Sequence, residues 1–174
     1  GEQIVEYINK NNFNLTINIV KEKDKILDTG GGALNAIQYF SNEAFLIINP
    51  DTIWNSHYLE EAKLMQKVFF ENKKKCLLLV VNKEKSFDKS FKGDFNINSK
   101  NQILRQSNNK YIFTGAQIIT RSVFEGRKVK PFSMNKIWDE LIRKKNLIGI
   151  CSRYKFFHIN NYKIYKKLNK KFIG

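Results

Sequence analysis

The stretch Ala44-Phe-Leu-Ile-Ile-Asn-Pro-Asp51, followed by Tyr58–Asn72 and then by Cys76-Leu-Leu-Leu-Val-Val81, decides the fold class. Ala44–Ile48 and Cys76–Val81 are short continuous apolar runs, the signature of strands buried on both faces. Between them Leu59, Ala62, Met65 and Phe69 recur at helical spacing, which predicts a helix with one apolar stripe. Upstream, Leu15-Thr-Ile-Asn-Ile-Val20 alternates and is rich in β-branched residues, so it reads as a further strand. The run Ala33–Phe40, with Leu34, Ile37 and Tyr39 apolar, supplies the helix that links it to Ala44–Ile48. The order is βαβαβ, and it predicts a parallel sheet with right-handed crossovers.

Around this centre the pattern changes. Ile4, Val5 and Ile8 mark an opening helix ended by Asn11-Asn12, and Lys21–Asp28 is a polar connection. Phe91–Asn98 and Gln102–Gln106 read as a hairpin turning at Lys100-Asn101, and Tyr111–Thr120 as a long strand interrupted by Gly115. Asn135–Lys145 returns to helix, Leu147–Cys151 and Lys155–Ile159 are short strands, and Tyr162–Lys171 is a basic closing helix. No repeat, linker or break in composition divides residues 1–174, so they read as a single α/β domain.

The bulk numbers agree. At 174 residues the chain suffices for one domain and is short for two; 42% hydrophobic residues exclude a mainly disordered chain. With 31 Lys+Arg against 16 Asp+Glu, the formal charge is +15, which raises nucleic acid, an anionic surface or polyphosphates as partners. Only Arg105, Arg121, Arg127, Arg143 and Arg153 are arginines, so the excess is lysine, read chiefly as solvated surface. Aromatic and Lys residues interleave at Tyr154–Phe157 and Tyr162–Lys171, which keeps a basic nucleic-acid-binding module as an alternative. Cys76 and Cys151 sit in apolar runs without metal-like or redox-like spacing and read as buried free thiols of a reducing cytoplasm. No apolar run approaches the roughly 20 residues that span a bilayer, and no signal peptide is visible.

Four constellations could carry chemistry. In Leu27-Asp-Thr-Gly-Gly-Gly-Ala33, three consecutive glycines enter a helix and bring backbone N–H groups close to an anion or a nucleotide ring; a permissive turn is the plainer explanation. Asp51 stands just past a buried strand's C-terminal end, where open α/β sheets place their ligands. A lone carboxylate there suits Mg²⁺, or closes an Asx turn. Phe156-Phe157-His158-Ile159 bears one imidazole on an apolar strand, as a ligand or as a hydrogen-bonded core residue. Lys92-Gly-Asp94-Phe projects Asp94 from a turn, toward a ligand or as hairpin chemistry.

In order and spacing these pieces resemble the sugar-1-phosphate nucleotidyltransferases, in particular the N-acetylmuramate-1-phosphate uridylyltransferases of cell-wall metabolism and mannose-1-phosphate guanylyltransferase-like proteins. The resemblance runs through Ile19–Gly32, Phe45–Trp54, Lys92–Phe95, Phe113–Ile119, Pro131–Asn135 and Phe156–Ile159. It implies a three-layer Rossmann-like nucleotidyltransferase fold, with a mostly parallel central sheet and a small antiparallel hairpin. It implies that Gly30, Gly31 and Gly32 form a loop against base and ribose, with Glu22 and Thr29 nearby. Asp51 would hold a catalytic Mg²⁺, with His158 acting directly, through water or by holding Asp51, or marking weakened metal binding. Gly115 would let the sugar approach, and Asp94 would line the sugar side. The partners implied are a nucleoside triphosphate and a sugar 1-phosphate, in the cytoplasm, with neither membrane nor nucleic acid. The family's Gly-rich triphosphate-gripping segment has no counterpart here, so the resemblance implies the C-terminal portion of such a domain, inactive as printed. A catalytically lapsed relative that senses sugar nucleotides is a further alternative.

Overall fold

A computed structural model describes residues 1–22 and 25–172. Lys23 and Asp24, in the polar connection, therefore lie outside the described residues. The helices are α1 (Glu2–Lys10), α2 (Asp28–Ile37), α3 (His57–Asn72), α4 (Met134–Arg143) and α5 (Tyr162–Phe172). The strands are β1 (Ala44–Ile48), β2 (Cys76–Asn82), β3 (Asn96–Ile97), β4 (Ile103–Leu104), β5 (Tyr111–Thr120) and β6 (Leu147–Cys151).

β2 is the centre of the molecule because Cys76-Leu-Leu-Leu-Val-Val81 leaves no polar face to turn outward, and all six residues are buried. Side chains alternate across a strand, so β2 feeds two cores. Leu77 and Leu79 meet Met65 and Phe69 of α3 on one face. Cys76, Leu78 and Val80 meet Ile37 of α2 and Ile137, Trp138 and Leu141 of α4 on the other. Helices thus cover both faces of the sheet, giving the three layers. On the α4 side the Trp138 indole donates to Gln117 Oε1 at 2.9 Å, which satisfies both buried polar groups.

The sheet order is β1-β5-β2-β6. β2 and β6 pair in parallel, while β5 pairs antiparallel with both β1 and β2. Three of the four strands therefore point the same way, and β5 runs against them. The sequence reading of a mostly parallel sheet thus holds for β1, β2 and β6, and β5 runs against them because the link from β2 passes through a hairpin instead of a single helical crossover. The hairpin turns as expected, with Asn101 at φ 58° and the Asn98 carboxamide accepting from the N–H groups of Lys100 and Gln102. Its ladder is shorter than expected, Asn96–Ile97 against Ile103–Leu104.

Three other expectations are corrected. Leu15–Val20 is not a strand: no neighbouring strand supplies its ladder, and Leu15, Ile17 and Ile19 are exposed. β1 is not buried on both faces: it pairs only with β5, and Leu46 and Ile48 are exposed where α3 does not reach. Lys155–Ile159 is held by two isolated bridges, Ser86 with Phe156 and Thr52 with His158. Of the cysteines, Cys76 is buried and burial pushes its thiol up, whereas Cys151, the last residue of β6, is exposed. No described helix is long and apolar enough to cross a membrane.

Candidate active site

Asn49-Pro50-Asp51 leaves the C-terminal end of β1 and turns over the middle of β5. Asn49 N donates to Gly115 O at 2.8 Å, and the Trp54 indole donates back to Asn49 O at 2.8 Å. Thr52 is buried and its hydroxyl donates to Thr114 O at 2.7 Å. These bonds fix Asp51 on the segment they bracket. The far wall is the His158 segment, whose Ile159 N donates to Asp51 O at 2.7 Å. Asp51 Oδ1 comes within 3.6 Å of His158 Nδ1, with the Thr52 hydroxyl 3.5 Å from the same nitrogen. At that distance the pair is no hydrogen bond. Asp51 Oδ1 is buried with no hydrogen-bond partner among the described residues.

Asp51, Asp94 and His158 line one cleft of about 250 Å³ together with Asn49, Asn135 and Trp138. The structure thus brings together three of the residues singled out in the sequence. Asp94 is set by its own backbone: Asp94 N donates to Tyr111 O at 2.7 Å, and Phe113 N donates to Asp94 Oδ2 at 2.9 Å. One carboxylate oxygen is thereby held and the other is left to the cleft. Nearby, Asp88 accepts from Ser90 N at 2.9 Å and from the Asn160 amide at 2.8 Å. The Ser90 hydrogen bonds above all hold its carboxyl below the usual carboxylate range, against the opposing effect of burial. That pair pins the loop after β2 to the segment carrying His158.

Gly115 has φ +96°, and a Cβ there would lie 2.8 Å from Asn49 Cβ. Its bareness serves the turn of Asn49 against β5. Gly115→Ala is expected to cost about 3 kcal/mol in urea unfolding, from a left-handed alanine and overpacking together. A loss below about 0.5 kcal/mol, the scatter of ordinary surface changes, would show that the Asn49 segment relaxes freely.

The triple glycine is not a loop: Gly30, Gly31 and Gly32 lie within α2. Gly30 N and Gly31 N both donate to Phe132 O, at 2.9 and 3.1 Å. A Cβ at Gly30 would enter the Phe132 ring at 2.4 Å, and one at Gly31 would meet Lys130 O at 2.3 Å. Two of the three glycines are therefore required by the close pass of the Lys130–Phe132 segment. Only Gly32 faces a movable neighbour, Glu22 Oε1, 3.2 Å from its Cβ position. Glu22 Oε2 accepts from Leu27 N at 2.9 Å. The Thr29 hydroxyl accepts from Met134 N at 3.0 Å, tying α2 to α4 one residue before Asn135. A larger hollow of about 850 Å³, lined by Glu22, Leu27, Asn35, Gln38, Tyr39 and Pro131 among others, opens beside α2.

Asn49, Asn135 and Trp138 escaped the sequence reading. Pro131-Phe-Ser-Met-Asn135 carried the resemblance, but no spacing tells that Asn135 and Trp138 of α4 reach the Asp51 cleft. Arg105 secures Asn135, through a hydrogen bond to its side-chain oxygen, while pairing with Asp139 at 2.8 Å.

Among the described residues no three His, Cys, Asp or Glu side chains gather as a metal set. The unpartnered oxygen of Asp51 nevertheless fits a hard divalent cation that draws its remaining ligands from substrate and water. The imidazole beside it does not suit Mg²⁺ as a direct ligand.

With helices on both faces of a sheet in which β5 runs antiparallel, the chain shares its fold with several solved structures. Among solved structures it is similar to HddC from Yersinia pseudotuberculosis, at TM-score 0.71 and 20% identity over 98% of this chain and 74% of that one. HddC complexed with GMP-PN aligns with TM-score 0.70 at 20% identity, over 98% of this chain and 74% of that one. UDP-glucose pyrophosphorylase complexed with UDP-glucose matches at TM-score 0.66 and 14% identity, over 86% of this chain and 63% of that one. The inositol-1-phosphate CTP transferase of T. maritima matches at 0.59 and 17%, over 83% and 62%. The chain thus spans about three quarters of HddC and less than two thirds of the other two. No protein-family model and no curated protein sequence matches it.

Proposed function

We propose that this chain serves the transfer of a nucleoside monophosphate from a nucleoside triphosphate to a sugar 1-phosphate. The observation that carries the reading is Asp51: a carboxylate at the end of β1, with one oxygen buried and unpartnered, opposite Asp94 in a single cleft. A phosphate oxygen of the sugar 1-phosphate forms the new bond to the α-phosphorus. The bond from that phosphorus to the bridging oxygen of the β-phosphate breaks, and pyrophosphate leaves with the electron pair. Such a step needs positioning and charge neutralisation more than a protein nucleophile. No nucleophile–base pair is needed for it.

In this reading Asp51 holds Mg²⁺, which when bound offsets the negative charge of the phosphates. His158, 3.6 Å from Asp51, flanks it without ligating the cation. Asp94, anchored to Phe113 N, offers its free oxygen to a sugar hydroxyl. Asn49 and Asn135 supply the cleft's uncharged polar groups. Glu22, Thr29 and the open face of Gly32 border the nucleotide side, while Gly30 and Gly31 keep α2 seated on Phe132. Because the reaction consumes nucleoside triphosphates, the cytoplasm is its place.

The test is product formation by the natural protein that carries these residues, with each common nucleoside triphosphate paired against a panel of sugar 1-phosphates. Pyrophosphate and a nucleotide sugar are expected in equal amounts, only when both substrates and Mg²⁺ are present. Pyrophosphate without a nucleotide sugar would reject the acceptor class. Tight nucleotide-sugar binding without turnover would replace the enzyme by a sensor.

A further inference from the structure

On the other side of the Lys155–Ile159 segment lies a second cleft, of about 450 Å³, that the proposed reaction does not use. Five cationic side chains line it, Lys85, Lys89, Arg153, Lys155 and Lys171, against the single carboxylate of Glu84. None of the five is in an ion pair among the described residues. Like charges gathered in a concavity repel, and an anion placed among them relieves that repulsion. The ammonium groups are also positioned. Lys85 Nζ donates to Arg153 O at 2.8 Å, and Lys89 Nζ to Glu84 O at 2.6 Å. Each ammonium has three protons, so two on each remain for a ligand.

The aromatic residues of the cleft discriminate between anions. Lys171 Nζ lies 5.4 Å from the Phe157 ring centroid and 5.7 Å from that of Phe87. Phe172 meets Phe157 edge-on at 5.1 Å. The Phe87 and Phe157 rings that line the cleft are half-buried and engaged in these contacts, whereas single-stranded nucleic acid needs free faces on which successive bases stack. A compact, multiply charged anion fits better than a strand.

We propose that this cleft is a binding site for a small polyphosphate-bearing molecule, held by Lys85, Arg153, Lys155 and Lys171. It stands back to back with the Asp51 cleft. Phe156 and His158 line that one and Lys155 and Phe157 line this one, the alternation of an extended segment. The site is therefore separable from Asp51 by mutation.

The experiment is calorimetric titration of the 174-residue chain with inorganic tripolyphosphate, in EDTA so that no divalent cation assists binding at Asp51. One-site binding is expected, weakening steeply with salt. The triple variant Lys85→Ala, Lys155→Ala, Lys171→Ala should weaken it at least tenfold. Asp51→Asn should leave it unchanged. A control triple, Lys163→Ala, Lys166→Ala and Lys167→Ala on α5, removes the same charge outside the lining residues and should change affinity less than twofold. If the first triple melts at a lower temperature than the parent, Lys155→Ala alone should still give about a threefold loss. Equal losses in both triples would reduce the site to diffuse charge and overturn the proposal. So would loss of binding in Asp51→Asn, absence of binding, or displacement of tripolyphosphate by an oligouridylate that binds more tightly.

Discussion

Asp51→Asn is expected to lower kcat by about 10³-fold in the natural protein that carries these residues, equivalent to about 4 kcal/mol of transition-state stabilisation. The change keeps the shape of the side chain and removes its charge. A carboxylate that existed to hold the fold together would have its oxygens hydrogen-bonded, and its replacement would destabilise the chain. Asp51 Oδ1 has no such partner among the described residues, and His158 Nδ1 stands 3.6 Å away. Losing the charge should therefore leave the melting temperature unchanged or slightly higher, since an uncompensated buried oxygen is costly. Steady-state kinetics against Mg²⁺ concentration and a thermal melt on the same preparation separate the two roles. Full activity in the variant would remove Asp51 from the reaction; lost activity with a lowered melting temperature would make it structural.

The second large effect is on stability. Gly31→Ala should destabilise the fold by about 3 kcal/mol, at the upper end of what overpacking costs. The obstacle is the Lys130 backbone carbonyl, 2.3 Å from the Cβ position, which no side-chain rotation can remove. Gly32→Ala one residue later is the control. Its Cβ meets only a side-chain oxygen of Glu22. The better helix propensity of alanine should leave the fold as stable or stabilise it by up to about 1 kcal/mol. Urea unfolding of both variants decides the matter. Equal stabilities at positions 31 and 32 would mean that the segment from Lys130 to Phe132 is free to withdraw.

These two positions show how far the sequence could be read. Asp51 was legible as a candidate because a continuous apolar run ending in Asn-Pro-Asp marks both a strand and the edge where ligands gather. Asp94 and His158 were legible as candidates, and the cleft that joins them to Asp51 needed the fold. The glycines were misjudged in part. A run of three suggests an approaching ligand, yet for two of them the approaching group is Phe132 and its neighbours, a contact that no local pattern announces. The direction of β5 could not be read for a similar reason: local apolar patterning tells that a strand is buried and not which way it runs. Leu15–Val20 has the composition of a strand, but a strand also requires a neighbour to complete its hydrogen bonds.

The hydrogen bonds from Gly30 and Gly31 to Phe132 also bear on how the chain folds. A turn containing three glycines has weak local preference for helix, and Thr29 and Met134, which close the same contact, stand 105 positions apart. The first turn of α2 is therefore expected to form only when a distant segment has arrived, paying loop-closure entropy before it gains its bonds. Amide exchange at Gly30 and Gly31 accordingly reports the final closure of the domain rather than the birth of a helix.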